Sequence, residues 1–111
     1  MANKLKTYMT TLADTSETTL ITATETSILI VGSIIISNKH GSTTTTIDML
    51  VTDTSAASDF KILTNEEFAF GKSREVLVRP MIIENLDVLK AQAATGAVFD
   101  IIISYLDRDR T

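Results

Sequence analysis

The sequence predicts an all-β fold, a single antiparallel β-sandwich of jelly-roll or immunoglobulin-like type, with about eight strands preceded by an N-terminal arm. Three observations predict it. Thr recurs throughout beside Ile and Val, and branching at Cβ suits a pleated sheet better than a helix. From Thr18 onward, short apolar or alternating runs are separated by turn residues at short spacing, the grammar of a sandwich or barrel. A chain of 111 residues can bury one modest core and has no room for a second domain.

Residues 1–14 read as the arm and 15–111 as the sandwich domain. Within the arm, Leu5, Tyr8, Met9 and Leu12 fall at i, i+3, i+4 and i+7, which makes an apolar stripe if the segment is helical. One or two helical turns are marginal in water unless packed. The arm is therefore expected to become ordered against a partner, with these four residues as candidate protein-interface residues. The alternative is a frayed terminus or a first edge strand.

Thr18 to Ala23 is a candidate first strand of the sandwich. Ile28 to Ser37 is apolar at nearly every position, as in a central strand covered on both faces or one whose register shifts at a bulge near Gly32. Asn38 to Ser42 forms a turn. Thr43 to Asp53 alternates: Thr45, Ile47, Met49 and Val51 share one face, and the other is polar except for Leu50. Phe60 to Leu63 is a short strand, Asn65 to Glu67 a turn, and Glu75 to Arg79 another strand. Pro80 cannot donate to a ladder, so it marks an edge, a bulge or the start of the next run. Val88 to Ala94 follows, and Gly96 separates it from a last strand in which Phe99, Ile101, Ile103 and Tyr105 line one face. Ile34, Ile36, Ile47, Met49, Val51, Phe99, Ile101 and Ile103 are the expected core.

Composition excludes several functions. A formal charge of −4 and a pI of about 4.8 argue against neutralising the phosphates of nucleic acid or anionic lipid. The absence of cysteine removes disulfides, thiolate nucleophiles and Cys-based zinc sites. The basic N-terminus is followed by no apolar h-region, so it is not expected to be a secretory signal. The longest apolar run falls far short of the roughly 20 residues of a membrane helix. No nucleic-acid or membrane partner is expected.

Catalytic chemistry finds little support. His40 is the only histidine and lies in a polar turn without an assignable acid, and no G-x-S-x-G nucleophile turn is present. Asp48 with Asp53, Glu66 with Glu67, and Asp107 with Asp109 form no cation-binding loop. The four glycines are scattered, so no phosphate cradle exists. No catalytic residue, metal or cofactor is expected. A carbohydrate-binding sandwich is the competing class, but such sites rely on exposed aromatic platforms, and only Tyr8, Phe68 and Phe70 are candidates.

The order Thr18-Thr-Leu-Ile-Thr-Ala23, Ile28-Leu-Ile-Val-Gly-Ser-Ile-Ile-Ile-Ser-Asn38, Leu50-Val-Thr-Asp53, Val78-Arg-Pro-Met-Ile-Ile-Glu-Asn-Leu-Asp-Val-Leu-Lys90 and Ile102-Ile-Ser-Tyr-Leu106 resembles the small β-sandwich virion structural proteins of tailed bacteriophages. The likeness covers most of residues 18 to 106, and the arm lies outside it. It implies a non-enzymatic subunit of a virion, assembled in the host cytoplasm in many symmetric copies. Capsid decoration or cementing is the first role implied, with a neck, collar, tail or baseplate position as the alternative. The implied partners are other copies of the chain and virion proteins such as the major capsid or neck and tail proteins.

Overall fold

The computed structural model describes residues 2–109. Every regular element among them is a strand: β1 (Ala2–Thr11), β2 (Thr18–Thr22), β3 (Ser27–Asn38), β4 (Thr45–Asp53), β5 (Ser58–Phe68), β6 (Ser73–Glu75), β7 (Met81–Glu84), β8 (Val88–Ala93) and β9 (Phe99–Asp109). The strands form two antiparallel sheets that face each other across one core. The first runs β1-β9-β3, with β6 and β7 paired side by side along the far edge of β3, and the second runs β2-β8-β4-β5. With β6 and β7 taken as two pieces of one strand, this is the eight-stranded jelly roll. An immunoglobulin order is ruled out because β1 and β2 lie in different sheets.

Ile34, Ile36, Ile47, Met49, Phe99, Ile101 and Ile103 are fully buried, while Val51 lies half-buried at the margin of the core. Phe68 meets Phe99 edge-on, with ring centroids 5.6 Å apart.

The run in β3 is explained by a bulge. Its register against β9 shifts between Val31 and Ser33, so Leu29 and Val31 face the core before Gly32, and Ile34 and Ile36 face it after. Ile30 and Ile35 are thereby turned outward. The bulge switches the inward row from odd to even positions, and the outward Ile28, Ile30 and Ile35 make the second face of the strand apolar as well.

Three sequence expectations are corrected. The segment expected as a helical arm is β1, paired antiparallel with β9 from Ala2↔Asp109 to Thr11↔Asp100. In a strand, side chains alternate, so Leu5 and Met9 point to one face while Tyr8 turns toward the core. Leu12, just past the strand, is buried: its N donates to Phe99 O at 3.0 Å, and its O accepts from Ala97 N at 2.8 Å. The expected strand Glu75 to Arg79 ends at Glu75: Val76 N still donates to Ile34 O at 2.8 Å, but Ile34 N donates to the Glu75 carboxylate at 2.7 Å instead of to a backbone carbonyl, and β7 starts only after Pro80, which has no N–H for the ladder. The expected turn at Asn65–Glu67 lies inside an irregular β5. There Asn65 takes a positive φ of 47°, and its N donates to Asp48 Oδ1 at 2.6 Å.

Candidate interaction surface

The two sheets differ in what they show to solvent. The outward face of β2-β8-β4-β5 is polar, with Lys61 on Asp48 at 3.0 Å, Lys90 on Glu17 at 3.3 Å, and Thr52 Oγ1 donating to Asp59 at 2.7 Å. Leu50, the apolar exception of that alternation, is buried even there. This is the usual state of an antiparallel sheet with one solvated face.

The outward face of the β1-β9-β3 sheet is apolar. Strand register places Leu5, Leu106, Ile30 and Ile82 side by side in one row across four strands, and Met9, Ile102 and Ile35 in another. Between them runs a row of small polar residues, Thr7, Ser104 and Ser33. Leu5 is 88% exposed, Met9 67%, Ile82 59%, and Ile35 and Ile102 38% each, so five of the nine large apolar side chains exposed among the described residues share this face. Scattered exposed leucines are ordinary, whereas contiguous apolar patches are the surfaces through which proteins commonly dock.

Charge lies at the two ends of the face and on its fourth strand, where Glu75, opposite Ile35, accepts from Ser33 Oγ of the small polar row. At one end Asp100 accepts from Thr11 Oγ1 and pairs with Lys39 at 3.1 Å. The Thr11 hydroxyl and then Lys39 hold its carboxyl below the ordinary range against the cost of partial burial. At the other end are exposed Arg108 and Glu84.

Of the four residues proposed from sequence, Leu5 and Met9 lie on this face, whereas Tyr8 and Leu12 pack on the core side. Sequence reasoning missed Ile30, Ile35, Ile82, Ile102 and Leu106. The signal for some of them was present: the second face of β9 carries Ile102 and Leu106, and a bulge at Gly32 requires Ile30 and Ile35 to face outward.

The residues weighed for chemistry serve local structure. His40 Nδ1 accepts from the backbone N of Ser42 and of Thr43, both at 3.1 Å, which fixes the β3–β4 turn. Asp53 caps the following turn through Ser55 and Ala56. Glu66 pairs with Arg74 at 2.8 Å, and Asp107 with Lys6 at 2.8 Å. Among the described residues, no three of His, Asp or Glu gather as a metal site. Phe68 is buried with the Arg74 guanidinium 4.8 Å from its ring centre, so it offers no platform to a sugar. Phe70 remains half-exposed.

No protein-family profile matches the chain. No curated protein matches it in sequence. Among solved structures it is similar to a chain of the Bacillus endospore appendages, a family of disulfide-linked pili, with a TM-score of 0.55 at 9% identity over 99% of this chain and 88% of that one. Chains in the structures of infectious bursal disease virus, Gx and Gt strains, align with TM-scores of 0.45 and 0.43 at 10% and 12% identity. These alignments cover 96% and 94% of this chain but only 38% and 32% of the viral chains. At such identities the likeness is one of fold.

Proposed function

We propose that the chain is a non-enzymatic structural subunit that works by packing its exposed sheet face against other protein surfaces. The observation that carries this reading is the contiguous apolar face of the β1-β9-β3 sheet, beside a second sheet that is polar in the ordinary way. A soluble domain has no use for Leu5, Met9 and Ile82 in water, and an interface gives them one. The residues that could have served catalysis are engaged in turns and strand pairing instead.

The finer reading is a subunit of a tailed-phage virion, a capsid decoration or cement protein, with a neck or tail position as the alternative. It is supported by the sequence resemblance over residues 18 to 106 and by a jelly roll, an architecture common in capsids. The pilus-like fold favours a second reading, a filament subunit. Without cysteine, this chain would have to build such a filament without disulfide links.

The test is to separate the particles and filaments made by source cells on a density gradient and to detect the chain by antibody. The expected result is co-sedimentation with a particle in a fixed ratio to its main protein. Recovery only at the top of the gradient, at the mass of the free chain, would overturn the proposal.

A further inference from the structure

Exposure on the apolar face rises toward one edge. Ile102 on β9 and Ile35 on β3 are 38% exposed, but Met9 and Leu5 on β1 are 67% and 88% exposed, because among the described residues β1 has a neighbour on one side only. The backbone of β1 is open on that side too. Leu12 N donates to Phe99 O, and in an antiparallel ladder successive residues turn their N–H and C=O to opposite sides. The register of β1 on β9 is unbroken, so Thr10, Tyr8, Lys6 and Lys4 bond to β9, while Thr11, Met9, Thr7, Leu5 and Asn3 turn theirs to the free edge. We propose that this edge pairs antiparallel with the same edge of a second copy, about a two-fold axis at Thr7 normal to the sheet. The contact is made by the strand's edge and stands apart from whatever the apolar face covers.

The other edges point to a second copy as the partner. β2 has five residues and a bulge between Thr19 and Ile21. β5 shifts register on both sides of Met49 and holds Asn65 at a positive φ. On the far side of β3, β6 and β7 have three and four residues, with Pro80 between them. These are the devices by which sheets avoid edge pairing. The ten-residue β1 has neither bulge nor proline, so among the described strands the edge that matches it in length and straightness is its own in another copy. Its lysines do not block the approach: Lys6 is held at 2.8 Å by Asp107, which stands opposite Lys4.

Three properties of β1 set the axis at Thr7. First, Thr7 turns its N–H and C=O to the edge, so Thr7 faces its copy in a doubly hydrogen-bonded pair, and Leu5 with Met9 and Asn3 with Thr11 follow in the same phase, giving about ten main-chain hydrogen bonds. Second, each Leu5 lies opposite the other copy's Met9, which covers the two most exposed aliphatic side chains of the face, and Thr opposite Thr is itself a favourable pair. Third, charge fits: Lys6 faces Tyr8 and Lys4 faces Thr10, and the two Lys6 meet only diagonally, each beside its own Asp107. An axis at Lys6 would set Lys6 directly on Lys6. One at Tyr8 would set Leu5 on Thr11 and push Asn3 into the β1–β2 connection at Ala13.

An axis normal to the sheet keeps the outward face outward in both copies. The small row Thr7–Ser104–Ser33 then continues straight into its copy, and the two apolar faces join into one surface twice as wide.

The experiment is sedimentation equilibrium on the full chain. The wild type is expected to be a dimer. Thr7→Pro removes an N–H that does not serve the β1–β9 ladder, so the fold should persist while the dimer weakens at least ~10-fold. Thr7→Lys and Thr7→Glu, exposed changes that do not threaten folding, should each weaken it at least ~10-fold by setting like charges together at the axis, and an equimolar mixture of the two should dimerise again. Thr7→Cys should be joined copy to copy by a short bis-maleimide, whereas Gln92→Cys on the polar sheet should not. Ile82→Asp, on the same face but at the far strand, should leave the dimer unchanged. A monomeric wild type at about 100 μM, which is also the result if the edge takes a strand from another protein, would overturn the inference. So would open polymers, a dimer indifferent to both charges at Thr7, a mixture that stays monomeric, no cross-link through Thr7→Cys, or a dimer lost with Ile82→Asp. A monomer that still co-sediments with particles would leave the structural reading standing.

Discussion

At the scale of single residues, two positions are held by constraints that side-chain polarity alone does not reveal. Asn38 is a fully buried amide whose Nδ2 donates to Thr43 O at 2.8 Å and Phe68 O at 2.9 Å, while its Oδ1 accepts from His40 N at 3.0 Å. It ties the end of β3 to the turn after it and to the end of β5. Asn38→Leu keeps the bulk but strands two carbonyls and an N–H, so an unfolding free energy lower by about 2–4 kcal/mol is expected in urea titration. Gly96 is small because a Cβ there would lie 2.8 Å from Ala13 O and 3.1 Å from the Asp14 Cα, both backbone atoms that cannot swing away. Gly96→Ala should cost about 1–3 kcal/mol. Gly41→Ala, where a Cβ would meet nothing within 4 Å, should fall within about 0.5 kcal/mol of wild type. In the core, Ile101→Ala should cost about 2–5 kcal/mol, and an unmoved midpoint would contradict the full burial of this side chain.

At the scale of elements, strands were legible wherever one face was wet. The alternation of Thr45, Ile47 and Met49 against polar neighbours fixed both the conformation and the inward face of β4, and the apolar row of β9 did the same. β1 was misread because four-residue spacing is ambiguous: Leu5 and Met9 share a face in a helix and in a strand alike. Only their relation to Tyr8 and Leu12 separates the two, and that relation is decided by pairing with β9, nearly a hundred residues away. The apolar outward face was hidden for the same reason. Periodicity shows that Ile102 and Leu106 face away from Phe99 and Ile101, but only topology sets Met9, Leu5 and Ile82 beside them. Removing residues 1–13 should therefore have a measurable consequence. Their removal takes Leu12 from the core and uncovers the edge of β9, so a thermal midpoint lower by more than 10 °C is expected, where about 2–5 kcal/mol is lost for the leucine alone. A deletion form that unfolds at the wild-type temperature would show that β1 adds nothing to the domain.

At the scale of the whole molecule, loop geometry is held by ionised carboxylates, and this sets its response to acid. Asp14 is held below its ordinary value of 3.8 by the Ser16 side chain and then its backbone N–H. The Asn65 N–H and then Lys61 do the same for Asp48, and Ser55 and Ala56 for Asp53. Burial pushes Glu75 up, but hydrogen bonds from Ser33 Oγ, Ile34 N and Leu77 N outweigh it, so it sits below its ordinary 4.5. A carboxyl whose folded pKa is depressed contributes stability that is fully present above its unfolded pKa and is lost as pH falls through the folded one. Because these groups anchor the β1–β2 connection, the β4–β5 hairpin and the β3 bulge, acid weakens both sheets together. Lys6 behaves in the opposite sense: the hydrogen bond and charge of Asp107 raise it above 10.5, so its contribution disappears only as pH rises through that higher value. Stability should therefore form a plateau through neutral pH and fall steeply below about pH 4. Asp48→Asn, which keeps an acceptor for Asn65 but gives up the charge facing Lys61, should lower the plateau and flatten the acid slope. A melting temperature that holds constant down to about pH 2.5, below most ordinary carboxyl values, would mean that these carboxylates are spectators in the folded state.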